Sequence, residues 1–144
     1  YNHGEQNHSE LTSLLKKSRT IVGTCSVLLW IISICFAPLI ATIFVGNETN
    51  VHEIIVHATR IYTISFLFSG LNMFASTWFT ALGNGSVSAF ISFTRTLVLE
   101  LVAVFTLPLL FGIDGIWSAI IVAEIFALIL SQSLIFAYRK RYGY

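Results

Sequence analysis

Four apolar runs, Ile21 to Val45, Ile61 to Leu82, Val87 to Phe111 and Ile116 to Tyr138, fill most of the chain, and only short polar turns separate them. A hydrocarbon core of about 30 Å takes about 20 helical residues to cross, so each run is long enough. The first two contain no ionised side chain. Backbone groups in lipid must satisfy one another, and these runs are far longer than a barrel strand, so the pattern predicts helices. The expected fold is an all-α membrane protein with four transmembrane helices, at about 21–45, 52–82, 86–111 and 115–138. Residues 1–20 read as a cytoplasmic loop and the start of an amphipathic helix, and 139–144 as a basic cytoplasmic tail.

Local chemistry marks the breaks. Gly46 and Asn47 can end the first helix in a left-handed turn, and Asn50 with Glu53 has the spacing of a capping box, which starts the second helix at Val51. Gly83, Asn84 and Gly85 predict one tight turn, and Gly112, Ile113, Asp114 and Gly115 another. Pro38 and Pro108 each remove one backbone donor near the far end of an outgoing helix and predict a bend there. The two halves share only Phe, Pro, Leu and Gly in order, a weak internal repeat. Ahead of the first run, Ser9 can cap a helix on which Leu11, Leu14, Leu15 and Ser18 share one face. Lys16 and Lys17 would then meet lipid headgroups, whether this segment is an ordinary juxtamembrane start or a membrane sensor.

Composition agrees with lipid as the solvent: 56% of residues are hydrophobic and 10% charged, against about a quarter charged in a soluble domain. The formal net charge is +1, and the basic residues sit at the ends of apolar runs as membrane anchors, which argues against a nucleic-acid partner. Lys16, Lys17 and Arg19 precede the first run and Arg139, Lys140 and Arg141 follow the last, whereas the first and third turns hold only Glu48, Glu53 and Asp114. By the positive-inside rule both ends face the cytoplasm, giving two in-out-in hairpins. Cys25 and Cys35 stand about 15 Å apart along one helix, beyond disulfide reach, and read as small buried packing residues. The chain opens on Tyr1 with no signal pattern, as the tail of a longer polypeptide would.

Ionisable groups within spans are costly, so Arg60, Arg95, Glu100 and Glu124 carry most of the functional information. Counted from the outer turns at about 1.5 Å per residue, Arg60, Glu100 and Glu124 all come near the midplane. Two readings stand: a proton or cation coupling site, or an Arg60 to Glu124 ion pair that fixes helix packing. Arg95, deeper toward the cytoplasm, reads as an anchor near the inner headgroups. On the second helix Tyr62, Ser65, Ser69, Asn72, Ser76 and Thr80 recur every three or four residues as one polar stripe. It is either a cavity wall or a small-residue seam for close packing, and Gly70 suits both. Trp78 and Phe79 could stack on a flat organic cation or belong to an interfacial aromatic belt.

Covalent chemistry finds no support. His52, Glu53 and His57 imitate a zinc-protease signature with one residue too many, which sets the histidines about 140° apart around a helix. No nucleophile and base pair at helical spacing, and no glycine loop precedes a lysine. No enzyme, metal site or cofactor is expected. Asn47, Glu48 and Thr49 form a glycosylation sequon that matters only in a secretory eukaryotic pathway.

The order of several short motifs is familiar. Tyr1-Asn2-His3-Gly4 before a basic helix, Arg60-Ile61-Tyr62, Phe68 to Asn72, Phe79 to Gly83, Ser92 to Thr96 around Arg95, and Leu110 to Trp117 together resemble the last four helices of a MATE-family efflux transporter. The resemblance covers nearly the whole chain and lies in its order and spacing rather than in any one motif. It implies one part of a twelve-helix, two-lobe transporter in the cell membrane. Its lobes would rock about a central cavity to export amphiphilic or cationic small molecules against a proton or sodium gradient. The implied partners are membrane lipids, such solutes and the remaining helices of the same polypeptide. Some subfamilies place a coupling Asp on the helix corresponding to Ile61 to Leu82; this sequence has Leu71 and Asn72 in that neighbourhood. The resemblance then implies a deciding acid in the first lobe, with Glu100 and Glu124 as accessory groups. Alternatives are a lipid-linked oligosaccharide flippase of the same superfamily, which would want more cations than Arg60 supplies, and a non-transporting membrane scaffold. A thiol oxidoreductase fails on the cysteine spacing.

Overall fold

The computed structural model describes residues 8–46 and 49–143, and every regular element among them is helical. The elements are α1 (His8–Val45), α2 (Thr49–Tyr62), α3 (Phe66–Ala81), α4 (Gly85–Phe93), α5 (Glu100–Phe111) and α6 (Ile113–Tyr142). They make four spans, α1, α2 with α3, α4 with α5, and α6, each long and apolar enough to cross a membrane. The second span is interrupted by a 3₁₀ turn at Thr63–Ser65 and the third by a π-helical turn at Thr94–Leu99.

Burial is inverted relative to a soluble protein. Large apolar side chains face outward, among them Leu109, Phe44 and Phe136, each at least three-quarters exposed. Much of the interior is instead small or polar, with Ser26, Thr63, Ser65, Asn72, Glu124 and Ser131 buried beside Ala37, Ala41, Ala75, Ala119, Ala123 and Ala127. Lipid tails reward outward apolar surface as well as a core does, so small residues are freed to bring helices together. On α6 the positions Gly115, Ala119, Ala123, Ala127, Ser131 and Ile135 recur every four residues and are all buried. At Gly115 a Cβ would strike the backbone of Leu107 and lie 2.8 Å from Pro108 Cα, so α5 and α6 meet almost backbone to backbone. At Gly70 a Cβ would strike Ser26 Oγ, a close approach of α3 to α1.

The helix α3 is central, packing on α1, α4 and α6, while α5 lies along α6 and α2 touches α1 and α6. A mixed aliphatic and aromatic cluster forms at the basic end from Leu11 and Leu15 of α1, Trp78, Phe79 and Leu82 of the second span, Ile91 of α4, and Ile135 and Tyr142 of α6. Gly143 there lies against the His8 ring, so the two ends of the described chain meet. At the opposite end His52 Nε2 lies 3.2 Å from both Pro38 O and Thr42 Oγ1, tying α2 to α1. The turn between α3 and α4 uses Gly83 at φ 74° and Asn84, whose side chain accepts from Val87 N–H at 3.2 Å as the N-cap of α4.

Several expectations change. α1 begins at His8, so Ser9 lies inside the helix and does not cap it. α2 begins at Thr49, which puts Asn50 within its first turn and removes the proposed capping box. Cys25 and Cys35 are exposed free thiols, not buried packing residues. A thiol is apolar enough to face lipid, and the buried face of α1 is built from Ser26, Ala37 and Ala41 instead. Trp78 and Phe79 belong to the basic-end core: Phe79 is fully buried edge-on to Tyr138 at 5.5 Å, and Trp78 is 8% exposed. Neither is placed to stack on a solute or to form an interfacial belt. The sequon residues Asn47 and Glu48 and the Tyr1 to Gly4 opening lie outside the described residues.

Candidate functional site

The chemistry concentrates on one buried carboxylate. Glu124 is 2% exposed, one step around α6 from the small-residue face that presses into the bundle. An ionisable group there must find partners or leave the interior, because hydrocarbon supplies none. Glu124 finds them on two other spans. Its Oε1 accepts from Arg95 Nη2 at 2.9 Å and from Arg95 Nε at 3.0 Å, and its Oε2 accepts from Asn72 Nδ2 at 2.6 Å. Asn72 Nδ2 also donates to the Glu124 carbonyl at 2.9 Å, and Asn72 Oδ1 accepts from Ser131 Oγ at 2.9 Å. Asn72 and Ser131 are completely buried, and the network joins α3, the third span and α6.

The π turn positions the arginine. Glu100 N–H bonds Arg95 O five residues back, and this widened turn lies between α4 and α5 with Arg95 near its beginning. Such bulges change the angular register of what precedes and follows them, and they recur at functional sites. Here the guanidinium turns into the bundle toward α6 with 20% of its side chain exposed. Glu100, half-buried in the first turn of α5, is close enough to feel the charges of both Arg95 and Glu124. The direct partner of the Arg95 guanidinium is Glu124.

This arrangement replaces the expected Arg60 to Glu124 pair. Arg60 is exposed on α2 and lines an open groove of about 310 Å³ with Pro38, His52, Glu53, Val56 and His57. Depth along a helix axis says nothing about rotation around it, and Arg60 points away from the interior that Glu124 occupies. The expectation that Arg95 anchors at the inner headgroups is likewise corrected, because its guanidinium holds Glu124.

The polar stripe on the second span divides into parts. Tyr62 is 41% exposed, stands edge-on to Phe66 at 6.0 Å and lines a groove with Ile54, Ala58 and Trp117. Ser65 is buried and Ser69 half-buried. Further along, Ser76 Oγ lies 2.8 Å from both Ser88 Oγ and Ser92 Oγ, and Thr80 Oγ1 donates to Ser88 Oγ at 2.7 Å. Those hydroxyls are committed to α4, so this stretch is a helix seam rather than a cavity wall. Asn72 lies between the two parts and serves the carboxylate. Ser131 escaped the sequence reading, although the spacing Gly115, Ala119, Ala123, Ala127, Ser131 marks a close-packed face on α6 that could have revealed it.

Near the acidic turns His57 Nε2 lies 3.0 Å from Asp114 Oδ1, with both side chains 62% exposed. Among the described residues no three His, Cys, Asp or Glu side chains gather as metal ligands.

A family model described as MatE matches residues 1–106. No curated protein and no solved structure matches the chain significantly.

Proposed function

Because the chain belongs to the MatE family of membrane transporters, we propose that it works as the last four helices of a secondary antiporter that exports amphiphilic or cationic organic compounds. Two lobes alternate access to a central cavity, and a proton or sodium gradient drives the cycle. The cell membrane holds the protein with both ends of this chain on the cytoplasmic side, a reading supported by the basic residues that flank the first and last spans.

The observation that carries a transport role for this part of the molecule is the Glu124 network. A carboxylate shared between Arg95 and Asn72 ties three spans together in one arrangement. A cation that competes with the guanidinium for Glu124 releases those spans, whether it is the coupling ion or a charged solute. Ligand occupancy is thereby linked to helix packing, as alternating access requires.

The test expresses the full-length protein in an efflux-deficient cell and follows accumulation of a fluorescent organic cation, with and without a proton or sodium gradient. Gradient-dependent export is expected from the wild type. The double substitution Arg95→Gln with Glu124→Gln removes both charges together and leaves no buried ion alone, so it is expected to reach the membrane yet lose gradient-dependent export. Export unchanged per unit of membrane protein would remove the network from the mechanism, and no export by the wild type would reject multidrug antiport itself.

A further inference from the structure

At the basic end a cleft of about 380 Å³ lies between α1 and α6 and plays no part in the Glu124 network. Its charged lining among the described residues is basic. Lys16 and Arg19 stand on the α1 side and Arg139 on the α6 side, and among the described residues no acidic side chain lines it. Lys16 and Arg19 are exposed. Between them the floor is apolar, with buried Leu15 and Ile135 and the 75% exposed ring of Phe136.

A second observation lies deeper. The Nε2 of Gln132, on the same wall as Arg139 but about two turns farther into the membrane, is inaccessible to solvent and has no hydrogen-bond acceptor. A buried amide donor without a partner costs on the order of 1–3 kcal/mol, so such a group in a cleft calls for an acceptor from outside the chain. The cleft thus offers cations at its mouth, apolar wall in the middle and a neutral donor within, over about 10 Å of helix between residues 132 and 139.

We propose that this cleft is a binding site for one anionic phospholipid. The phosphate sits against Lys16 and Arg19 at the mouth, a glycerol ester carbonyl accepts from Gln132 Nε2, and an acyl chain runs along Phe136. Position agrees with the chemistry. Lys16 and Arg19 immediately precede the apolar run that begins at Ile21, and Arg139 immediately follows the one that ends at Tyr138, so the mouth lies where headgroups do. A free phosphate ion would satisfy the mouth but not the buried amide or the apolar wall. Basic pockets between spans on the cytoplasmic side are a recurring headgroup site. A lipid held there would link the ends of α1 and α6.

The experiment uses the intact natural protein, purified in detergent, with palmitoyl-oleoyl phosphatidylglycerol or the matching phosphatidylcholine, and measures retained lipid by native mass spectrometry. Phosphatidylglycerol is expected to be retained about tenfold or more over phosphatidylcholine, and that preference is expected to vanish in Lys16→Gln with Arg19→Gln. Lys17→Gln removes one positive charge from an exposed residue outside the cleft and is expected to leave the preference unchanged. Gln132→Leu is expected to weaken retention of both lipids, because both carry the ester carbonyl. Equal retention of the two lipids, an equal loss from Lys17→Gln, or displacement of phosphatidylglycerol by inorganic phosphate alone would overturn the assignment. So would an unaltered preference in the Lys16 and Arg19 variant. None of these outcomes depends on export, so failure of the lipid site is distinguishable from failure of the antiport reading.

Discussion

Glu124 and His57 each hold a side-chain partner at about the same distance, 2.9 Å and 3.0 Å, yet what surrounds the two pairs decides what each is worth. His57 and Asp114 are 62% exposed, where screening leaves an ion pair about 0–1 kcal/mol. Arg95 and Glu124 are 20% and 3% exposed, and removing one partner from such a pair strands a buried charge at a cost of about 3–5 kcal/mol. Glu124→Gln and Arg95→Gln are therefore each expected to lower the melting midpoint of the detergent-purified protein strongly. The double variant should recover much of that loss, and His57→Gln should barely move it. A double variant as unstable as the sum of the singles would show that the two side chains do not act as a pair. Asn72→Leu is expected to cost about 1–3 kcal/mol, since it leaves Glu124 Oε2 and Ser131 Oγ each short of a buried contact. That Glu124 would matter was legible from its charge within an apolar run. Its partner was not, because counting residues from a turn gives height and leaves the azimuth open. The azimuth separates Arg95, aimed inward, from Arg60, aimed outward.

Helices as elements were readable because runs of apolar residues this long admit no other structure in lipid. Their interruptions were not. Thr63-Ile64-Ser65 and Thr94 to Leu99 contain neither Gly nor Pro, and nothing local distinguishes them from the helix on either side. The 3₁₀ turn keeps Thr63 and Ser65 buried, and the π turn carries Arg95 toward α6, so both are set by packing between spans. Close approach between elements leaves a clearer mark in the glycines. An added methyl at Gly115 meets the Leu107 backbone, which belongs to a helix and cannot step aside. At Gly70 the obstacle is Ser26 Oγ, a rotatable side-chain atom. Gly115→Ala is therefore expected to cost about 1–3 kcal/mol as an overpacking change, and Gly70→Ala clearly less. Melting midpoints of the two variants side by side measure the difference, and equal effects would contradict the backbone contact between α5 and α6.

At the scale of the whole molecule, four antiparallel spans must return the chain to the side from which it started, and the contact of Gly143 with His8 shows that return. Which side that is depends on charge alone. The shared end carries Lys16, Lys17, Arg19, Arg139, Lys140 and Arg141, whereas Asp114 and Glu53 belong to the far end, so the positive-inside rule directs the shared end to the cytoplasm. Thiol labelling can decide it. With Cys25 and Cys35 replaced by Ser, Ile113→Cys at the far turn, where Ile113 is 68% exposed, is expected to react with a membrane-impermeant maleimide in intact cells. Ser86→Cys, at the exposed start of α4 on the shared end, is expected to react only after the membrane is opened. The reverse pattern would turn the bundle over in the membrane. It would then place the lipid cleft in the outer leaflet, away from the anionic surface potential on which its basic mouth relies. The orientation experiment thus bears on the cleft as directly as on the topology.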